Sequence, residues 1–377
     1  ARVARLDDFN GDGYPDFALA ADQAIADGRW QAGRVYVLFW KPEYLERGSI
    51  DLDRIGIDPD LRGFMLYGED CEGCGIGDEV GTAIASAGDA NGDGLTDLLV
   101  GAPRRGRIEG PLYYLLFGAR DVPPRLDLSL LGARGARLKG PSAFRVPSRL
   151  GGDAAQGVGD VNGDGFDDVL LGFSGDCCSF LSTTVSGRAY LVLGRERFPL
   201  EMDLPLEESL EHSSVISFHD AASGDRTGVS VAALGDISGD RVPDFLIGAF
   251  LARRDGVEGT GAAFAVFGGS ELRGAYPLDQ VPSQLPGVRI LGDQMNGLIG
   301  EEVAALGDVN GDGQPDFALR TRYRVLERIP STLYIVYSGR GRELSVTRTS
   351  PACGPVRGGY EVSVIGSGFG ESEIEVV

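Results

Sequence analysis

The chain has 377 residues, with 56 acidic against 35 basic side chains, a net charge of −21 and 58 glycines. That balance excludes nucleic acid as a partner, because phosphates need a basic face. No apolar run reaches the roughly 18 residues of a membrane-spanning helix, so nothing in this stretch reads as a span.

The length exceeds one ordinary domain unless the chain is a repeat array, and a repeat is what the chain order shows. A short segment, 2–6, leads into the acidic loop Asp8-Phe9-Asn10-Gly11-Asp12-Gly13-Tyr14-Pro15-Asp16 and then into an apolar run. The loop returns at 89–97, 160–168, 236–244 and 308–316, with starts 81, 71, 76 and 72 residues apart. Its lead-in segments are 81–87, 153–158, 228–234 and 300–306. After each loop come a buried-strand run (FALA, LLVG, VLLG, FLIG, FALR) and a second strand built around Tyr36, Tyr114, Tyr190, Phe264 or Tyr334. A weaker fourth segment follows at 63–68, 135–140, 214–219 and 287–292. No window keeps a helical apolar period, so the pattern predicts an all-β propeller of four-stranded blades, five of them visible. The units run near 1–68, 69–140, 141–219, 220–292 and 293–345.

The loop carries the donors of a calcium site, since calcium takes six to eight oxygens. Candidate ligands are the side chains at positions 1, 3, 5 and 9 and the backbone carbonyl at position 7. In order these are Asp8, Asn10, Asp12, Tyr14 and Asp16; Asp89, Asn91, Asp93, Leu95 and Asp97; and Asp160, Asn162, Asp164, Phe166 and Asp168. Loop four offers Asp236, Ser238, Asp240, Val242 and Asp244, and loop five Asp308, Asn310, Asp312, Gln314 and Asp316. An EF-hand is excluded, because its position-12 Glu is replaced by Leu19, Val100, Leu171, Ile247 and Leu319. The competing reading is a set of Asp/Asn/Gly turns capped by their own side chains. Up to five calcium ions are expected as a condition of folding, because the unneutralised carboxylates would repel one another. Loop four is expected to be weakest, since Ser238 replaces Asn and Arg241 replaces the turn glycine.

Residues 77–103, GDEVGTAIASAGDANGDGLTDLLVGAP, strongly resemble an FG-GAP repeat, the blade unit of the integrin alpha-chain β-propeller. The other four units match the same pattern, so the resemblance covers residues 1 to about 345, with departures. The Phe-Gly entry is reduced to Val80-Gly81, Thr227-Gly228 and Ile299-Gly300, and the Gly-Ala-Pro exit survives only at Gly101-Ala102-Pro103. The resemblance implies calcium at the same five loops, a ring that typically has seven blades, and a secreted or cell-surface adhesion or protein-interaction module. A protein or glycan ligand is expected, bound by the opposite face or by the insertions 104–109, 175–186 and 253–259. Residues 346–377, with Pro351, Gly354-Pro355 and Gly366-Ser367-Gly368-Phe369, resemble the start of an IPT/TIG immunoglobulin-like domain. The chain thus reads as part of a longer multidomain protein. With only Lys41 and Lys139 as lysines, its arginine bias points to a GC-rich, bacterial genome.

No enzyme is read from this stretch: neither His212 nor His219 has a nucleophile motif beside it. The alternative is a non-catalytic or carbohydrate-binding propeller of a larger secreted enzyme, with Trp30 and Trp40 as candidate sugar platforms, although both are expected to pack within the blade. Cys71, Cys74, Cys177 and Cys178 suit local disulfides in surface insertions, leaving Cys353 over.

Overall fold

The structure is a computed structural model. It describes residues 2–25, 31–68, 78–103, 111–141, 154–174, 187–205, 214–220, 224–254, 256–257, 259–292, 297–321, 332–339, 343–350, 360–366 and 373–376. The first unit contributes β1 (Arg2–Arg5), β2 (Phe17–Ala21), β3 (Arg34–Leu38) and β4 (Gly63–Tyr67). The second contributes β5 (Ala83–Gly88), β6 (Asp97–Ala102), β7 (Leu112–Leu116), β8 (Arg125–Asp127) and β9 (Gly135–Lys139). The third holds β10 (Ala154–Gly159), β11 (Asp168–Phe173), β12 (Arg188–Val192), β13 (Glu201–Asp203) and β14 (Val215–His219). The fourth holds β15 (Thr227–Gly235), β16 (Asp244–Ala249), β17 (Ala262–Val266), β18 (Ala275–Pro277) and β19 (Gly287–Gly292). Last come β20 (Glu302–Gly307), β21 (Asp316–Arg320), β22 (Leu333–Gly339), β23 (Glu343–Ser350), β24 (Tyr360–Gly366) and β25 (Glu373–Val376).

Each unit folds as an antiparallel meander, and the five meanders stand side by side. The first strand of each sheet touches the first strand of the next: β1 with β5, β5 with β10, β10 with β15, and β15 with β20. The middle strands are apolar on both sides because each inner sheet is covered twice; β6, β11 and β16 are buried along their whole lengths. In the outer sheets β2 and β22 instead alternate buried and half-buried residues, as one uncovered side requires. In β20 only Val303 is buried, and in β1 Val3 is 68% exposed.

Each inter-sheet gap is filled by its own apolar cluster. Between the first two sheets, Phe9, Val35, Val37 and Phe64 meet Leu98, Val100, Tyr114 and Leu116. Corresponding clusters fill the second, third and fourth gaps. The recurring aromatic of the third strand sits in these gaps in units two to five, with Tyr114 and Tyr190 fully buried, whereas half-buried Tyr36 packs against a separate cluster within unit one.

The sheets have five strands where the repeat predicts four. The connection leading into β9 crosses to the preceding sheet, where β8 lies parallel to β4, with Leu126 opposite Leu66. β13 pairs with β9 and β18 with β14 in the same way. Units two, three and four therefore each lend an edge strand to the one before, and Leu128 and Leu131, just past β8, fill the gap between the first two. β25 pairs parallel with β19, and β24 pairs antiparallel with β23. The described backbone of the stretch expected to open an immunoglobulin-like module thus joins sheets four and five, and no separate sandwich is shown.

Candidate metal centres

Every acidic loop links the first strand of a sheet to its second. In sheets two to five a β-bulge precedes it, centred on Gly88, Gly159, Gly235 or Gly307, each at a φ of 68° to 79°. That left-handed geometry suits glycine and turns the chain out of the ladder.

Within the loop the backbone wraps around two carboxylates. In loop one the N–H groups of Gly11, Asp12 and Gly13 donate to Asp8 at 2.6, 3.0 and 2.7 Å, and that of Tyr14 donates to Asp12 at 3.1 Å. Asp16 points inward: it accepts from Phe9 N–H at 3.1 Å and from Trp40 N–H, just past β3, at 3.0 Å. Position 9 therefore ties the loop to the far end of the third strand. The same clasp recurs through Asp97 to Ala90 and Gly118, Asp168 to Val161 and Gly194, Asp244 to Ile237 and Gly268, and Asp316 to Val309 and Ser338. Position 1 likewise collects loop N–H groups through Asp89, Asp160, Asp236 and Asp308. The position-2 residue was not singled out from sequence, its only signal being an apolar side chain in every loop, and of the partners at the end of the third strand only Trp40 was, for a different role.

The loops also bind neighbouring blades to one another. Thr96 N–H donates to the Asp8 carbonyl at 3.0 Å and Ala119 N–H to the Phe9 carbonyl at 3.0 Å. Between blades two and three, Asp167 N–H donates to the Asp89 carbonyl at 3.2 Å, and the Asp167 carboxylate accepts from Asp89 N–H at 2.8 Å. Anything that stiffens one loop stiffens a blade junction.

Burial raises the position-9 carboxyls despite those backbone donors: Asp16, Asp168 and Asp244 to about 7, and Asp97 to about 8. Asp316 is raised for the same reason, whereas exposed Asp308 is lowered, chiefly by the Gly313 N–H. Three carboxylates within nine residues, one of them desolvated, are a set whose ionised form a cation would stabilise. The donors are all oxygen, which matches a hard divalent ion. Among the described residues no group of three or more His, Cys, Asp or Glu side chains is gathered as a metal cluster. In loops two, three and five the Asn amide instead donates to the position-5 carboxylate, as Asn91 does to Asp93 at 2.9 Å. The residues expected as ligands thus lie in their loops with the position-1, position-5 and position-9 carboxylates engaged by backbone N–H groups rather than gathered around one centre.

Loop four departs where expected. Arg241 has a φ of 74°, in the region occupied by Gly13, Gly94, Gly165 and Gly313 in the other loops. Its N–H still donates to Asp236 at 2.8 Å, and Ser238 N–H donates to Asp244 at 2.8 Å.

His219 ends β14 with its Nδ1 3.1 Å from the Asp220 carbonyl oxygen. Trp40 packs edge-on against Phe17 and Tyr44, with ring centroids 5.7 and 5.8 Å apart. His212, Trp30, all five cysteines and the insertions 104–109 and 175–186 lie outside the described residues.

The FG-GAP repeat family matches at residues 2–38 and 80–115, which hold the acidic loops of units one and two and the strands around them. The chain is 29% identical to integrin alpha-4 of Xenopus laevis over 177 residues, 47% of this chain and 14% of that protein. It is 32% identical to phosphatidylinositol-glycan-specific phospholipase D of Bos taurus over 194 residues, 51% of this chain and 21% of that protein. Over 107 residues it is 37% identical to the Mus musculus phospholipase of the same name, covering 28% of this chain and 11% of that protein. The aligned part of the chain thus spans about a fifth or less of each of these relatives.

Proposed function

We propose that this FG-GAP-bearing chain is part of a calcium-binding, extracellular β-propeller that acts as an adhesion or protein-interaction module, with no catalysis in this stretch. One observation carries the reading: the same clasp of backbone N–H groups around position-1 and position-9 carboxylates occurs in all five loops. Calcium held there would neutralise the loop charge. The chain's own contribution is to aim the oxygens and to hand the resulting rigidity to the blade junctions. Similarity to integrin alpha chains supports a cell-surface or secreted setting and a protein ligand, and a ring of more than five blades is part of the same proposal. The proline- and glycine-rich sequence of 346–377 supports an IPT/TIG-like module. Equilibrium dialysis against radioactive calcium tests the metal reading. Close to five ions per chain, with the weakest lost on Asp240→Ala, would support it; no calcium retained above buffer would end it.

The phospholipase similarity favours a second reading, in which the propeller is the non-catalytic or carbohydrate-binding part of a larger secreted enzyme. A glycan array separates the two, because sugar binding by the purified chain would favour the second.

A further inference from the structure

A groove of about 380 Å³ opens between the first two blades, beside loop one. One wall is the connection from β3 to β4 and the other the connection from β7 to β9; Arg62 and Arg120 line it together with Ile57, Pro59, Val122 and Pro124. The walls are held from behind. Arg62 N–H donates to the Tyr44 hydroxyl at 3.0 Å, the Tyr44 O–H donates to the Asp60 carbonyl at 3.1 Å, and Arg134 donates to the Asp121 carbonyl at 2.9 Å.

The charges on this groove are unevenly matched. Asp58, which also lines it, is held by Arg47 at 3.1 Å. Arg62 and Arg120 are exposed, and among the described residues no ion pair engages either guanidinium. The guanidinium of Arg120 lies against Gly11, with Nε 3.0 Å from where a Cβ there would stand. Two guanidinium forks outside any ion pair among the described residues thus line the groove with one carboxylate, Asp121, that is likewise outside one, in a chain whose net charge is −21. A guanidinium fork matches a carboxylate in two-point geometry. The remaining lining is aliphatic and proline-rich: Ile57 is 66% exposed, and the one lining aromatic, Phe39, is buried in the blade gap. Aliphatic side chains and prolines suit a peptide better than a sugar ring, which would call for an exposed aromatic platform.

We propose that this groove binds an acidic peptide segment of a protein partner, with Arg62 and Arg120 clamping an Asp or Glu carboxylate and Ile57, Pro59 and Pro124 covering its apolar neighbours. The assignment deepens the interaction-module reading and rests on it. The test is an array of capped peptides in which Glu or Asp sits beside Leu, Val or Pro, each paired with its Gln or Asn twin, probed with the whole chain in calcium. Acidic members should outbind their twins by about tenfold or more, the usual scale for a hydrogen-bonded charge, and R62Q/R120Q should abolish the difference while R2Q keeps it. Equal melting midpoints for the three proteins exclude misfolding as the cause. Acidic and amide twins binding alike, or R62Q/R120Q keeping the preference, would overturn the groove assignment. In the second case the interaction-module reading survives with another site. Binding to heparin that is lost in R62Q/R120Q, with no peptide preference, would overturn the peptide assignment in favour of a sulfated glycan.

Discussion

The position-9 aspartates concentrate the tension in this molecule. Each is nearly or fully buried, holds two strands together through backbone N–H groups, and is pushed by desolvation toward its neutral form. A raised native pKa means that the folded metal-free chain binds protons the unfolded chain has released. Its contribution is therefore present below the unfolded value of about 4 and is lost as pH rises to the native values of about 7 to 8. Calcium, which needs the ionised carboxylate, should act in the opposite sense. The shift in melting midpoint between calcium and chelator should thus be larger at about pH 8 than at about pH 5; an equal shift at both would remove these carboxyls from the site. Arg241 allows a second residue-scale test. Its left-handed φ costs on the order of 1 kcal/mol that glycine would not, so Arg241→Gly should raise the melting midpoint and tighten calcium at the proposed loop-four site. Lower stability would show that the side chain contributes more than its backbone strain costs.

At the scale of elements, the strands of each meander were legible because burial on both sides leaves continuous apolar runs, and the loops were legible because their chemistry repeats. The lent edge strands were not. β8, β13 and β18 have three residues each, too few for a period. Their trace is an apolar residue two before a leucine, as in Leu126-Asp127-Leu128, Met202-Asp203-Leu204 and Tyr276-Pro277-Leu278. Only the structure shows why it recurs: that leucine fills the gap to the preceding blade, Leu128, Leu204 and Leu278 each being buried. Leu128→Ala should cost about 2–5 kcal/mol in chemical unfolding, as for other buried leucines. Leu130→Ala, two residues on and 76% exposed, should cost under about 0.5 kcal/mol. Equal costs would mean that the lent segment does not fill the gap.

At the scale of the molecule, the blades stand like an array of repeats in which each unit contacts its neighbours, so stability is shared across junctions. Those junctions are made of two materials, the apolar clusters between sheets and the loop-to-loop hydrogen bonds beside them. The sequence pattern showed the array and named all the candidate metal oxygens. It could not show that the loops also clasp the next blade, because Thr96, Ala119 and Asp167 carry that contact through backbone groups and one side chain outside the motif's ligand positions. Under the proposed calcium binding, metal and fold are coupled, with calcium in the loops holding the blades together. Thermal unfolding of the chain in calcium, in magnesium and in chelator tests it most directly. A large stabilisation specific to calcium, removed when Asp12, Asp93 and Asp312 are replaced by Ala, is the predicted result. Identical unfolding in all three conditions would contradict the account and leave the loops as self-capped turns.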